Sequence, residues 1–329
     1  AFGLETLYKV FAGFYMFYYI DKLGLAITTA AIINIVYGIW DAVDDPIAGF
    51  LSDNTRTRWG RRRPWLLIGL PFYVATLILV YAVPKPFLKG SGLFWYALLM
   101  FSLFEVAYTI MSINYTALFP ELFQGVRERT RASSYYQGLG MFGELVGFSI
   151  PPFIYARFGF VPMAISFAGV SGIALFLGII RNKESLSAVN TPRLDLKGAF
   201  GEVLKDRPFL LYTLAVTLLM FTTGAYTLAT PFWVKYTLGA SPEGTSLIFA
   251  TVFISAIVSV SVWNKIVPVL GIKRSWLLSV VVGGVASIIL GLAPNLVVGA
   301  IGAAVVGVGM GGINVCRVIF MANFIDQGL

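Results

Sequence analysis

Histidine is absent from this 329-residue chain, and cysteine occurs once, at Cys316. The commonest metal ligand and the usual acid–base group of neutral pH are therefore missing, and one thiol cannot close an internal disulfide. Metal-assisted hydrolysis has no residues to rest on. Charge is also scarce: 12% of the residues are Asp, Glu, Lys or Arg, against about 25% in a soluble domain. No ATP-hydrolysis motif occurs. The nearest approach to a phosphate-cradling loop, "GVGMGG" at 307–312, lies inside an apolar run and lacks a Lys-Ser/Thr ending. It reads instead as small residues that let helices approach closely. With no nucleophile–base or metal constellation either, an enzyme is not expected. No cofactor is called for.

What the chain has in abundance is apolar surface: 58% of its residues are hydrophobic, including 27 Phe. Ten apolar segments are predicted as membrane-spanning helices, at 2–20, 27–51, 65–83, 93–118, 132–156, 159–180, 208–234, 245–268, 275–293 and 295–322. Each is long enough for a hydrocarbon core of about 30 Å. The short alternating segments of an outer-membrane barrel are absent. The fold class is therefore all-α and polytopic.

The charge of +8 follows the topology. Loops after even-numbered spans hold seventeen Lys and Arg, and loops after odd-numbered spans hold five. The positive-inside rule puts the first set and the N-terminus in the cytoplasm, in what is expected to be a plasma (inner) membrane. A nucleic-acid partner is not expected. A polar stretch at 181–207 divides the chain into a six-helix bundle (1–180), a cytoplasmic linker and a four-helix bundle (208–329). A weak repeat supports the division: "YIDKLG" (19–24) matches "VKYTLG" (234–239), and "WGRRRPW" (59–65) matches "GIKRSW" (271–276). Repeated halves joined by a long loop are common in secondary transporters. If the second half copies the first, two further spans belong after Leu329, making twelve.

The second span carries Asp41, Asp44 and Asp45, which share one helix face with Asn34 and Gly38. Ionised carboxylates at membrane depth must face the protein interior or a watery cavity. Clustered carboxylates can hold a hard cation such as Na⁺, their oxygens replacing its water shell. Alternatively, repulsion and burial can let one of them take a proton.

The block "WDAVDDPIAGFLSDNTRTRWGRRRPWLLIG" (40–69) resembles the glycoside–pentoside–hexuronide:cation symporters of the major facilitator superfamily, the family of the melibiose permease. Shorter pieces agree in order, among them "YYIDKLGL" (18–25), "YTALFPEL" (115–122), "RERTRASSY" (127–135) and "PFWVKYTLG" (231–239). The resemblance covers the chain up to the point where an eleventh span would begin. It implies a major facilitator fold of two pseudo-symmetric bundles, with Asp41 and Asp45 as cation-site residues. Asp44 stands where the family usually has Asn. Glu5 takes the place of a first-helix Asp that contacts sugar hydroxyls. Gly49, Asp53 and the basic run including Arg56, Arg61 and Arg62 match a gate that closes the cytoplasmic side by charged contacts. Gly49 is expected there to leave room for a neighbouring helix.

Two departures concern the substrate pocket. The melibiose permease has Asp where this chain has Ser112, and Trp where it has Thr116. Its sugar-binding Arg aligns with Gln137. The fourth span nevertheless keeps a polar stripe of Glu105, Thr109, Ser112 and Thr116. Glu105 and Glu144 are expected as a compensating acid pair or proton-exchange sites. Arg317, inside the tenth span, is expected either to meet a carboxylate, from a buried acid or an acidic substrate, or to snorkel towards the cytoplasmic interface. Tyr108, with Tyr15, Tyr18, Tyr19, Tyr115, Tyr226 and Trp233, offers faces for sugar rings.

The expected function is symport of a sugar or glycoside with Na⁺ or H⁺ by alternating access. The protein is expected to be a monomer in contact with membrane lipid. Lysophospholipid carriers share the second-helix signature and give an alternative, as does a non-transporting membrane sensor on the same fold.

Overall fold

The computed structural model describes residues 1–57, 60–88, 91–122, 126–181 and 207–326. Eleven α-helices run through them: α1 (Phe2–Phe17), α2 (Ile27–Asn54), α3 (Arg63–Tyr81), α4 (Gly92–Leu122), α5 (Val126–Ser149), α6 (Pro151–Phe158), α7 (Phe160–Arg181), α8 (Arg207–Phe232), α9 (Pro242–Leu270), α10 (Ile272–Gly291) and α11 (Leu296–Asp326). Nine stretches of the described residues are long and apolar enough to cross a membrane. α1 is shorter, at 16 residues, but continues into a π-helical turn ending at Lys22. The predicted fifth span is split between α5 and α6. Pro151 and Pro152 withhold two consecutive N–H donors there, and α6 restarts with proline in its first turn. The expected linker lies outside the described residues except for Arg181 and Arg207.

Two compact units divide the chain, Ala1–Asn190 and Thr191–Leu329. In the first, α1 packs on α5 and α7, α3 on α4 and α7, and α2 on α4. Aromatic rings fill this unit: Phe11, Phe14, Tyr19, Tyr73, Tyr81, Phe101 and Phe104 are all fully buried. A buried phenol needs an acceptor. Tyr19 donates to the Val80 carbonyl at 2.9 Å, Tyr73 to that of Leu4 at 3.1 Å, and Tyr81 to that of Val10 at 2.8 Å. Two of the tyrosines expected to meet sugar are thereby used otherwise: Tyr19, and Tyr18, whose hydroxyl donates to the Tyr81 carbonyl at 2.8 Å.

In the second unit α11 packs against α9 and α10, and "GVGMGG" is the reason. A Cβ at Gly307 would lie 2.2 Å from the Val252 carbonyl oxygen, and one at Gly311 2.7 Å from that of Ala256. At Gly309 it would meet the Gly283 backbone at 2.6 Å. Backbone approaches backbone here as only glycine permits.

The two units repeat one local device. Tyr18–Lys22 and Trp233–Thr237 are both π-helical turns at the end of a unit's first helix. Leu23 N–H bonds to the Tyr18 carbonyl and Leu238 N–H to that of Trp233, both at 3.1 Å. Each turn ends at a glycine with positive φ, Gly24 at 73° and Gly239 at 60°, where a side chain would be strained. The second pair of repeats also starts alike, with Gly60 at φ 105° and Gly271 at φ 78°. The sequence repeats are thus repeats of backbone conformation.

Candidate functional site

α2 is continuous through its aspartates although Pro46 sits inside it. Proline has no N–H, so the Ala42 carbonyl, between Asp41 and Asp44, loses its helical donor. Asp44 is buried, Asp41 half-buried and Asp45 exposed. α4 supplies the opposing groups. The Thr109 hydroxyl reaches Asp45 Oδ1 at 3.1 Å and Asp44 Oδ1 at 3.4 Å. Glu105, one turn earlier and 2% exposed, accepts the Tyr37 hydroxyl and lies beside the Asp41 carboxyl. Two ionised carboxylates held together repel, so the pair suits a shared proton or a cation. At the other end, Tyr15 donates to Asn34 Oδ1 at 2.6 Å. Asp44 Oδ2 is buried without a hydrogen-bond partner. Four acids and a hydroxyl therefore meet between two helices, with one acceptor oxygen left over. No group of three or more His, Cys, Asp and Glu among the described residues forms a multidentate metal site, so a bound cation would need Thr109 or water to complete its shell.

A second charged group joins α1 to α5. Glycines bring these helices together: a Cβ at Gly143 would lie 2.6 Å from the Phe2 carbonyl oxygen, and one at Gly147 2.7 Å from that of Thr6. Thr6 Oγ1 donates to the Gly143 carbonyl at 3.2 Å across the contact. The close approach sets Glu144 against Lys9, at 3.0 Å, while Lys9 also lies 3.8 Å from Glu5. The expected pairing of Glu105 with Glu144 does not occur. Glu105 joins the α2 acids, and Glu144 takes a lysine instead. Sequence reasoning passed over Lys9 because it tallied basic residues in loops, whereas a lysine at position 9 falls inside the first span and needs an acid. Glu5, one turn earlier on the same helix, was the available signal.

Asp53 and Arg62 close the α2–α3 turn. Arg62 is buried, ion-paired with Asp53, and donates to Ser52 Oγ at 2.6 Å. Arg63 reaches the end of α7 at the Ile180 carbonyl, 3.3 Å away. Arg56 is exposed and Arg61 half-buried. A Cβ at Gly49 would meet nothing within 4 Å among the described residues.

A family model described as MFS/sugar transport protein matches residues 1–328. The chain belongs to that family. Among relatives of this MFS protein, an uncharacterized symporter of Synechocystis, sll1374, is 32% identical over 184 residues, 52% of this chain and 34% of the relative. The isoprimeverose transporter of Lactiplantibacillus pentosus is 25% identical over 221 residues, 64% and 46% of the two chains. A sodium-dependent lysophosphatidylcholine symporter of Danio rerio, 1-A, is 34% identical over 140 residues, 42% and 26%. The chain thus spans less than half the length of these relatives. The nucleoside transporter NupG shares the fold at a TM-score of 0.70 and 14% identity, over 100% of this chain and 80% of that one. A D-xylose-proton symporter does so at 0.63 and 17%, over 96% and 79%. The protein is an integral membrane protein of major facilitator fold.

Within this MFS protein the remaining polar residues separate. Ser112 bonds its own helix at the Thr109 carbonyl, 3.4 Å away, and Thr116 bonds the Tyr136 hydroxyl. Gln137 is exposed and bonds Ser133 at 3.3 Å. Tyr108 stacks on Tyr8 with ring centroids 4.2 Å apart. Arg317 lies in the second unit near the Tyr212 phenol. Phe320, one turn on, packs there against Tyr212 and Trp276. The carboxylate expected beside Arg317 is not found among the described residues of its unit.

Proposed function

We propose that this protein is a secondary active symporter that couples a sugar or glycoside to Na⁺ or H⁺. The observation that carries the reading is the buried Asp44 with its unpartnered Oδ2, set beside Asp45, Asp41, Glu105 and Thr109 between α2 and α4. A carboxylate at membrane depth costs about 3 kcal/mol, and such a cluster lowers that cost by taking up a cation or a proton. Na⁺ would draw on Asp41, Asp45 and Thr109, and a proton would enter at the Asp41–Glu105 pair. Ion binding neutralises the cluster and so favours a different packing of its helices, which is the coupling alternating access requires. Asp53 and Arg62 form the latch, on the side that the positive-inside count assigns to the cytoplasm.

Proteoliposomes with Na⁺ and pH gradients set separately test this against a panel of monosaccharides, disaccharides and uronides. Gradient-driven uptake is expected in wild type and its loss in Asp45→Asn. Equal uptake by that variant at every gradient would sink the assignment. The 34% identity to a lysophosphatidylcholine symporter favours a second reading, lysophospholipid symport. It predicts that uptake of lysophosphatidylcholine, and not of sugars, collapses with the Na⁺ gradient.

A further inference from the structure

A cavity of about 600 Å³ lies in the first unit where α3 and α5 begin and α4 and α7 end, and none of the α2 acids lines it. We propose that it is a binding site for an acidic phospholipid, with the phosphodiester on Arg63 and Arg131 and an acyl chain along the apolar wall beside them. The site is independent of which solute the protein moves.

Arg63 and Arg131 each open a stretch long and apolar enough to cross a membrane, Arg63–Tyr81 and Arg131–Phe158. Both therefore stand where water gives way to hydrocarbon, the level of lipid phosphates. The positive-inside count assigns that level to the cytoplasmic side. Glu128 lines the same cavity, so its charged side chains sum to +1. A phosphodiester bearing a single negative charge neutralises that sum, whereas a zwitterionic headgroup leaves it standing. Arginine suits the task, because its fork gives a phosphate two parallel N–H donors. Both guanidinium groups are steadied at the rim. Arg131 lies 5.9 Å from the centroid of the Tyr135 ring, and the half-buried Arg63 donates to the Ile180 carbonyl of α7 at 3.3 Å.

The rest of the lining is apolar and calls for a tail as well as a head. Leu66, Leu118 and Ile179 are buried and come from three different helices. Tyr115 of α4 and Tyr136 of α5 also line the cavity and stack with ring centroids 5.9 Å apart. Leu139 stands eight residues beyond Arg131, which on a helix is about 12 Å. An acyl chain spans that distance, whereas a free phosphate would leave the leucines uncovered. Tyr135 and Leu139, 62% and 52% exposed, form the open side, so a lipid can enter past α5. Arginines at the membrane boundary, tyrosines beside them and aliphatic side chains further in reproduce the order of polarity along a phospholipid.

The test titrates phosphatidylglycerol, phosphatidylcholine and glycerol phosphate into the full-length protein in detergent. Bound molecules are counted by native mass spectrometry, with the melting temperature followed in parallel. Phosphatidylglycerol should bind about tenfold more tightly than phosphatidylcholine, the worth of one charge-assisted contact, and glycerol phosphate should not bind. Arg131→Gln brings the side-chain charge of the cavity to zero and should abolish the preference for phosphatidylglycerol. Glu128→Gln raises that charge and should strengthen phosphatidylglycerol binding, a gain that no loss of folding can imitate. Leu139→Trp keeps the charges but fills the space for the chain, so both lipids should bind more weakly. All three positions are exposed, and the variants should melt as the wild type does. Equal binding of the two lipids by wild type, an unchanged preference in both charge variants, or unchanged lipid binding in Leu139→Trp would overturn the proposal. So would glycerol phosphate binding as tightly as phosphatidylglycerol, which would make the cavity a site for soluble phosphates. No ion gradient enters these measurements, so failure here leaves symport standing, and failure of symport leaves the lipid site standing.

Discussion

Thr109→Val is the substitution that probes the α2–α4 cluster with least damage. Valine keeps the branched shape and removes only the hydroxyl that lies 3.1 Å from Asp45 Oδ1 and 3.4 Å from Asp44 Oδ1. The hydroxyl has one proton, so it donates to one carboxylate at a time, and its worth is that of a single hydrogen bond to a charged group. Such a bond contributes about 1.5–3 kcal/mol. At about 1.4 kcal/mol per decade, the apparent affinity for the coupling ion should fall about 10- to 100-fold if Thr109 serves the ion-bound form. The assay is the Na⁺ or H⁺ activation curve of solute uptake, with maximal uptake and detergent-extracted melting temperature measured in parallel. Ser166→Ala, which removes an exposed hydroxyl bonded only to its own helix, is the matched control and should change nothing. An unchanged activation midpoint in Thr109→Val, with the protein folded, would refute the reasoning: the cluster would then be a hydrogen-bonded brace between helices and not the ion's seat.

Tyr37→Phe withdraws the phenol that donates to Glu105; uptake should become more dependent on pH, read as a shift of at least half a unit in the pH–rate midpoint. Gly307→Ala sets a methyl 2.2 Å from the Val252 carbonyl oxygen. It should destabilise the second unit by about 1–3 kcal/mol, seen as a lower melting temperature. Gly224→Ala meets open space and should raise stability by up to about 1 kcal/mol. Asp53→Asn removes the ion pair to Arg62, whose acid is 56% exposed. Because Arg62 itself is buried, bonded to Ser52 Oγ and left beside a neutral amide, stability should fall by about 1–3 kcal/mol, seen as a lower melting temperature, and uptake should fall as well.

Much of the fold was legible because membrane helices advertise themselves by length and apolarity, and the matched loop pieces at 19–24 and 234–239 marked a real repeat of backbone conformation. The break at Pro151–Pro152 was legible as well, but hydropathy averages over it. The aspartates of α2 were found by helical spacing, which places side chains on a face but says nothing about which neighbour they meet. Glu105 and Glu144 illustrate the limit. Each is one acid on one helix, and only the packing of α2 on α4 and of α1 on α5 decides that the first joins a carboxylate cluster and the second a lysine. Glycine shows the same limit: small size permits a close contact but does not require one, and at Gly307 the contact is made.

The duplicated turns at Tyr18–Lys22 and Trp233–Thr237 give both units one local plan, and the two differ in what they carry. α2 carries three acids in its middle, whereas its counterpart α9 has none after Glu243; there, small residues and bare backbone meet the glycines of α11. One unit is the charge-bearing half and the other a stiff frame. Substitutions that change the charge of the α2–α4 cluster should therefore leave the glycine-packed helices of the second unit undisturbed.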